Sequence, residues 1–380
     1  MNRIKESLRG YAFITPNFLG FALFTALPVL GAVIMSFYDG TFSSRTDPGS
    51  GALVVDARFV GMANYRRLVG FDRVPVGGIV ETGGEQLTVL SDRFEAEFPI
   101  GAERVTLKTV QPTLGLFCGA TVVREVAVDA IRNRRADPGS LWQARDPKFW
   151  FTLYNTMFFM IGIPISMACS LGLAILLNRK IAGRVVYRTL LFLPSVATGV
   201  AMFLVWRWIY NPNVGLLNAG LDAIGVLGAN KPDWLGDPLL VRPAIIAMGV
   251  WTAMGGTNMI LFLAGLQGID PTLYEAAEID GAGHWAKFRH ITWPQLRPTT
   301  FFILTTSLIG GFQMFDQAYV MTNGGPEGAT TTIVYYIYQQ MFRFQRMGYA
   351  ASIAIVLFFV ILAVTLLNWW VGRRSNPMSP

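Results

Sequence analysis

The sequence predicts an all-α polytopic membrane protein of about six transmembrane helices, with a small β-rich module inserted outside the membrane between the first and the second. Three observations carry this. Of 380 residues, 52% are apolar and only 14% are charged, against roughly 25% charged in a soluble domain. The apolar residues gather in long runs instead of spreading along the chain. One polar stretch in the first half alternates polar and apolar residues, the period of a strand.

The runs come first. A bilayer core of about 30 Å needs roughly 20 apolar residues in a helix. Six runs qualify, at about 12–38, 149–177, 190–210, 243–266, 300–320 and 350–371. Each is expected to be helical, because lipid offers a backbone group no partner. Pro28, Pro164 and Pro194 fall inside the runs or at their ends. Arg3, Lys5 and Arg9 precede the first run, but its apolar stretch exceeds the roughly 7–15 residues of a secretory signal core and no small-residue cleavage site follows, so it reads as a retained span. The expected division is a tail and first span at 1–38, an outer loop at 39–147 with the inserted module at about 71–145, a five-helix core at 148–372 with a cytoplasmic loop at 267–298, and a tail at 373–380.

Charge orients the spans. Arg3, Lys5 and Arg9 flank the first. Arg179, Lys180, Arg184 and Arg188 separate the second from the third, Lys287, Arg289 and Arg297 the fourth from the fifth, and Arg373 and Arg374 follow the sixth. The alternate loops are poorer, with Lys231 and Arg242 in one and Arg343 and Arg346 in the other. The basic side is the cytoplasm, and an even number of spans puts both termini there. The same placement explains the net charge of +7 without a nucleic-acid partner. Cys118 and Cys169 sit at different expected depths, which argues against a disulfide. His284 and His290 share one loop, and no Cys/His cluster has metal-ligand spacing.

Within the outer loop, segments 86–90 and 104–110 alternate as strands do. Asp47-Pro48-Gly49-Ser50 and Asp137-Pro138-Gly139-Ser140 read as turn-rich joints. The module reads either as a solvated insertion without a part in transport or as a docking element for an external partner.

The loop at 267–298 is the most informative segment. Asp270 and Pro271 suit an N-cap and a first helical position. Then follow Glu275-Ala276-Ala277, three residues, Gly281, nine residues, and Ile291-Thr292-Trp293-Pro294. The pattern describes a charged cytoplasmic helix with a small-residue face, turning near Gly281 and ended by Pro294. This segment resembles the E-A-A-x3-G-x9-I-x-L-P motif of the membrane subunits of binding-protein-dependent ABC importers, with Trp293 standing where leucine is usual. Phe59-Val60-Gly61-Met62-Ala63-Asn64-Tyr65, Leu193-Pro194-Ser195, Trp206-Arg207-Trp208 with Asn211-Pro212, Gly215-Leu216-Leu217-Asn218, and Phe315-Asp316 through Met321-Thr322-Asn323-Gly324-Gly325-Pro326 resemble the maltose-type sugar branch. The likeness covers about 10–70 and 146–372, and leaves out the insertion, which is atypical at this place.

The resemblance implies the type I importer permease fold in a bacterial or archaeal plasma membrane. It implies two ATPase subunits, a second homologous permease, an extracytoplasmic solute-binding protein and a sugar as cargo. The chain has no G-x4-G-K-[ST] phosphate loop, so it is expected to bind no cofactor and to be no enzyme; ATP and Mg belong to the partner ATPase. Glu275, Ala276, Ala277, Asp280, Gly281, Ile291 and Pro294 are the expected coupling residues. Polar groups inside spans are costly and tend to face a pathway, which singles out Asn258, Gln313 and Asp316, with Trp251, Phe312 and Tyr319 as aromatic faces for a sugar. Thr257 and Gln317 are neighbouring polar groups. Gln313 and Asp316, three apart, would share one face of the fifth span. Glycerol phosphate is the alternative cargo, disfavoured because no basic cluster lies within the spans, although Arg207 lies near the end of one. A secondary transporter gives no reason for the E-A-A loop. A membrane-embedded enzyme would need paired acids or a metal cluster, and Glu275, Glu278 and Asp280 sit in a helix that reads as docking.

Overall fold

A computed structural model describes residues 14–46, 53–82, 85–89, 104–111, 120–127, 131–179, 181–196, 199–226 and 231–374. They form two compact units. One holds the described residues up to Phe151 together with Ile337–Leu357; the other holds Thr152–Tyr336 and the described residues from Phe358 onward.

The first unit opens with helix α1, Ile14–Met35, long and apolar enough to cross a membrane. Its π turn at Ala22–Ala26 immediately precedes Leu27 and Pro28. Proline lacks an N–H and its ring crowds the carbonyl four residues back, and a widened turn relieves both. The chain leaves α1 through a hairpin of β1 (Tyr38–Thr46) and β2 (Leu53–Phe59). A short helix follows, α2 (Ala63–Val69). Asn64 in α2 is buried and donates to the carbonyls of Ser36 at 2.9 Å and Tyr38 at 2.8 Å, while the Tyr65 hydroxyl donates to Ser36 Oγ at 2.7 Å. The F-V-G-M-A-N-Y segment is thus the clasp that satisfies carbonyls orphaned where the first span ends.

The insertion is an antiparallel sheet of β3 (Phe71–Thr82), β4 (Glu85–Val89), β5 (Arg104–Gln111), β6 (Ala120–Ala127) and β7 (Ile131–Ala144), in spatial order β6-β5-β4-β3-β7. Val80, Leu87, Val89, Val105, Leu107 and Val126 form its buried core, with β4 and β5 each contributing two alternate residues. The expected strands at 86–90 and 104–110 are present, apart from residue 90, which lies outside the described residues. The expected joint at 137–140 is no joint. It runs inside β7, where the register slips between Val76↔Gly139 and Gly78↔Ala136, so that Asp137 and Pro138 stand opposite Gly77 alone. A bulge absorbs the missing proline N–H without ending the strand. Residues 47–52 and Cys118 lie outside the described residues.

In the second unit the helices pack by the 3.6-residue period. Met167, Leu171, Ala174 and Leu177 meet Met259, Phe262, Leu263 and Leu266 in one core with Leu296 and Ile303, each set spaced to share a helix face. These lie on α3 (Pro147–Asn178), α8 (Thr257–Gln267) and α11 (Arg297–Phe312).

Six unbroken spans are not found among the described residues. Three helices are long and apolar enough to cross singly: α1, α3 and Met347–Gly372. Two further runs are bent pairs, which raises the number to five when each pair is one span. The third expected run is α4 (Arg184–Val196) and α5 (Gly199–Ile209), bent by 93°; after the short α6 (Leu216–Ala223), the fourth is α7 (Val241–Met254) and α8, bent by 41°. Between α7 and α8 a Cβ on Gly255 would stand 2.4 Å from the Leu191 carbonyl, so glycine lets another backbone approach the break. The fifth run is only 16 residues of continuous helix, ending at Phe312, followed by a π turn at Gln317–Thr322. Gln313 is the C-cap of the first piece and Asp316 the N-cap of the second. The two therefore share no helix face.

Candidate coupling segment and membrane cleft

Helix α9 (Pro271–Ile279) begins as its sequence demands. Asp270 is extended, its carboxylate accepts the Thr272 N–H at 2.9 Å, and Pro271 takes the first position. The same N–H holds the Asp270 carboxyl below its usual range. The helix ends in a Schellman motif: the Ala282 N–H reaches the Ala277 carbonyl at 2.8 Å and the Gly281 N–H the Glu278 carbonyl at 3.0 Å, with Gly281 left-handed at φ +74°. That is the hydrogen-bond pattern of a glycine C-cap. A Cβ on Gly281 would meet nothing within 4 Å. Glycine is needed there for its backbone angle, not for space within this chain.

The chain then returns through helix α10, residues 284–295, assembled from His284–Lys287, a π turn at Phe288–Thr292 and Trp293–Gln295. Pro294 does not end it; the winding passes through to Gln295 and breaks at Leu296. As at Pro28, a π turn ends two residues before the proline. Two contacts tie α9 to α10. The Tyr274 hydroxyl lies 2.8 Å from Thr292 Oγ1, and Lys287 Nζ lies 2.6 Å from Glu278 Oε1. Hydrogen bonding from Lys287 draws the Glu278 carboxyl below its usual range. Tyr274, Phe288 and Ile291 pack against the core that contains Leu171, Phe262 and Leu296. The hairpin is rooted in the helix core at one end, and Glu275, Ala276, Asp280 and Gly281 are exposed. Ala277 and Pro294 are half-buried. Ile279 is 88% exposed and Trp285 71%, an apolar surface that this unit leaves uncovered.

The membrane helices hold a cleft of about 240 Å³ in which Ser166, Asn258, Ser307 and Gln317 are the polar lining, among Phe159, Ile163, Ile246 and Met314. The amides of Asn258 and Gln317 have no hydrogen-bond partner among the described residues. Of the six expected pathway residues, only Asn258 lines this cleft. Trp251 lines a separate apolar groove with Phe158, Ile165 and Leu239, and its ring stands edge-on to Trp206. Phe312 is buried at 1% exposure. Gln313 and Asp316 are exposed. Tyr319 stacks on Phe315 with ring centroids 5.4 Å apart. Ser166 and Ser307 had no signal in the sequence, since a serine in an apolar run is as often a back-bonded helix residue.

The family of the binding-protein-dependent transport system inner membrane component matches residues 152–376, more than half of the chain. The chain belongs to this permease family. ATP hydrolysis is therefore the work of a separate subunit, and the permease is a multi-pass protein of a prokaryotic inner membrane. The lactose transport system permease of Rhizobium radiobacter is 38% identical over 241 residues, which is 62% of this chain and 79% of that protein. The arabinooligosaccharides transport system permease of Bacillus subtilis is 37% identical over 231 residues, 59% of this chain and 71% of that one. In fold, the permease resembles a chain of a bacterial alginate ABC transporter solved in complex with an alginate pentasaccharide-bound periplasmic protein. The TM-score is 0.64 at 19% identity, over 100% of this chain and 99% of that chain. The fold likeness thus takes in the inserted sheet.

Proposed function

We propose that this permease carries a di- or oligosaccharide into the cytoplasm by alternating access, and that the hairpin of α9 and α10 couples this motion to two ATPase subunits. ATP and Mg are held by those subunits. A second homologous permease and an extracytoplasmic solute-binding protein complete the importer. The observation that carries the reading is the hairpin itself: a twice-braced, capped element rooted in the helix core by Tyr274, Phe288 and Ile291, with Glu275, Ala276 and Gly281 of the E-A-A-x3-G pattern exposed. A rigid element can transmit a displacement, where a flexible loop would absorb it. The sugar class rests on the names of the relatives, which transport lactose and arabinooligosaccharides.

In this reading the chain crosses six times, the bent pairs and the broken fifth run each counting as one crossing, and both termini are cytoplasmic. Broken helices at membrane depth suit a solute path, since irregular backbone is tolerated there only where protein or water covers it. The path runs through the cleft of Ser166, Asn258, Ser307 and Gln317, with the exposed residues Gln313, Asp316 and Tyr319 toward its outer end. Trp251 and Phe312 support the helices around it.

The test is reconstitution of the permease with its partner subunits in proteoliposomes. The expected result is ATPase activity stimulated by the sugar-loaded binding protein, and lost in Glu275→Lys with the complex still assembled. Sugar uptake that proceeds on an ion gradient without ATP would sink the reading.

A further inference from the structure

Beside the clasp that closes the first span lies a basic cleft of about 660 Å³, lined by Val60, Met62, Ala63, Arg66, Arg67 and Arg145. Its depth is set by covalent neighbours. Asn64 binds carbonyls just past the end of α1. The Arg67 guanidinium stands 5.1 Å from the centroid of Tyr349, in the first turn of the last helix. Arg145 is two residues before Pro147, where α3 starts. Three span ends therefore converge on the cleft, which places it at a membrane–water boundary.

Its charge is unbalanced. Arg145 pairs with Asp72 at 2.7 Å, Arg67 lies against the Tyr349 ring, and the Arg66 guanidinium has no partner among the described residues. Three guanidinium groups line the cleft, and among the described residues Asp72 is the one carboxylate in an ion pair with them. Apolar side chains share its lining: Val60, Ala63 and Met62, the last 57% exposed. A soluble anion would leave these side chains in water. A phospholipid answers both features, since its phosphate sits at the level of helix ends and its acyl chains begin beside it. Arginine forks match phosphate oxygens, and the excess positive charge favours a lipid with net negative charge over a zwitterionic one.

We propose that Arg66, Arg67 and Arg145 form an interfacial site for the phosphate of an anionic phospholipid, which ties the first, second and last spans to the membrane surface where they converge.

The test uses the importer complex purified in detergent, stripped of lipid and titrated with phosphatidylglycerol, phosphatidylcholine or inorganic phosphate, with bound lipid counted by native mass spectrometry. Phosphatidylglycerol is expected to bind in preference to phosphatidylcholine and to resist displacement by inorganic phosphate. Arg66→Gln, at a residue whose guanidinium makes no internal contact, is expected to weaken it about fivefold, the scale of one basic residue at a membrane surface. Arg66→Lys is expected to retain it. Equal binding by wild type and Arg66→Gln, equal binding of the two lipids, or ready displacement by inorganic phosphate would each overturn the proposal.

Discussion

At Gly281 the left-handed backbone and the empty space around the α-carbon separate two reasons for a glycine. Any L-residue there pays for its φ, roughly 1–2 kcal/mol, while asparagine tolerates the region better than a β-branched residue. Gly281→Asn is therefore expected to keep most of the uptake that Gly281→Val loses, in complexes assembled to the same level. If both lose it equally, the glycine serves contact with the ATPase instead of the turn. Asn64 makes a different prediction. Its amide serves two carbonyls and is buried. Asn64→Ala leaves them unsatisfied at about 1–3 kcal/mol, which should appear as a lowered melting temperature of the detergent-solubilised permease. An unchanged melting curve would show that water replaces the clasp.

Among the elements, the coupling hairpin depends on its second arm being π-wound. Lys287 and Thr292 are five residues apart, a spacing that an α-helix turns well away from one face and a π turn brings back toward it. That winding lets Glu278 and Tyr274, four apart on α9, each find a partner on α10. Solvent screens the exposed Glu278–Lys287 pair, so Lys287→Gln is expected to cost only a modest part of the sugar moved per ATP. Glu278→Lys combined with Lys287→Glu is expected to recover it, because the contact is symmetric in charge. A double variant no better than the single ones would remove the brace from the mechanism. The inserted sheet makes its own prediction. Phe71 pairs with Ala144, so the module enters and leaves the fold at neighbouring points, as the ends of a hairpin do. Replacing 74–141 with an Asn-Gly turn should leave a permease that still inserts in the membrane, measured by its yield in the membrane fraction. Failure to insert would make the sheet part of the folding core.

For the whole molecule, six crossings with cytoplasmic termini put the inserted sheet and the coupling hairpin on opposite sides of the membrane. With the native cysteines replaced by serine, Thr106→Cys in the sheet is expected to react with a membrane-impermeant maleimide in intact cells. Arg289→Cys in the hairpin is expected to react only after permeabilisation. The opposite pattern would invert the topology and take the coupling proposal with it.

Membrane embedding, the places of the apolar runs, the strands of the insertion and the start and turn of the helix at Pro271 are legible along the chain. These follow from local rules: hydropathy over a window, alternation over a few residues, an N-cap acid followed by proline, a glycine at a C-cap. How the runs are broken and which polar groups meet depend on contacts between distant parts of the chain. The break at Gly255 depends on a carbonyl of Leu191, more than sixty residues earlier, and the bulge at Pro138 on the register of β3. The cleft collects Ser166, Asn258, Ser307 and Gln317 from four separate stretches, while Gln313 and Asp316, close in sequence, fall on two different helical pieces. Composition tells a segment which solvent it prefers. The partner it faces is set by long-range packing, which no window along the chain contains.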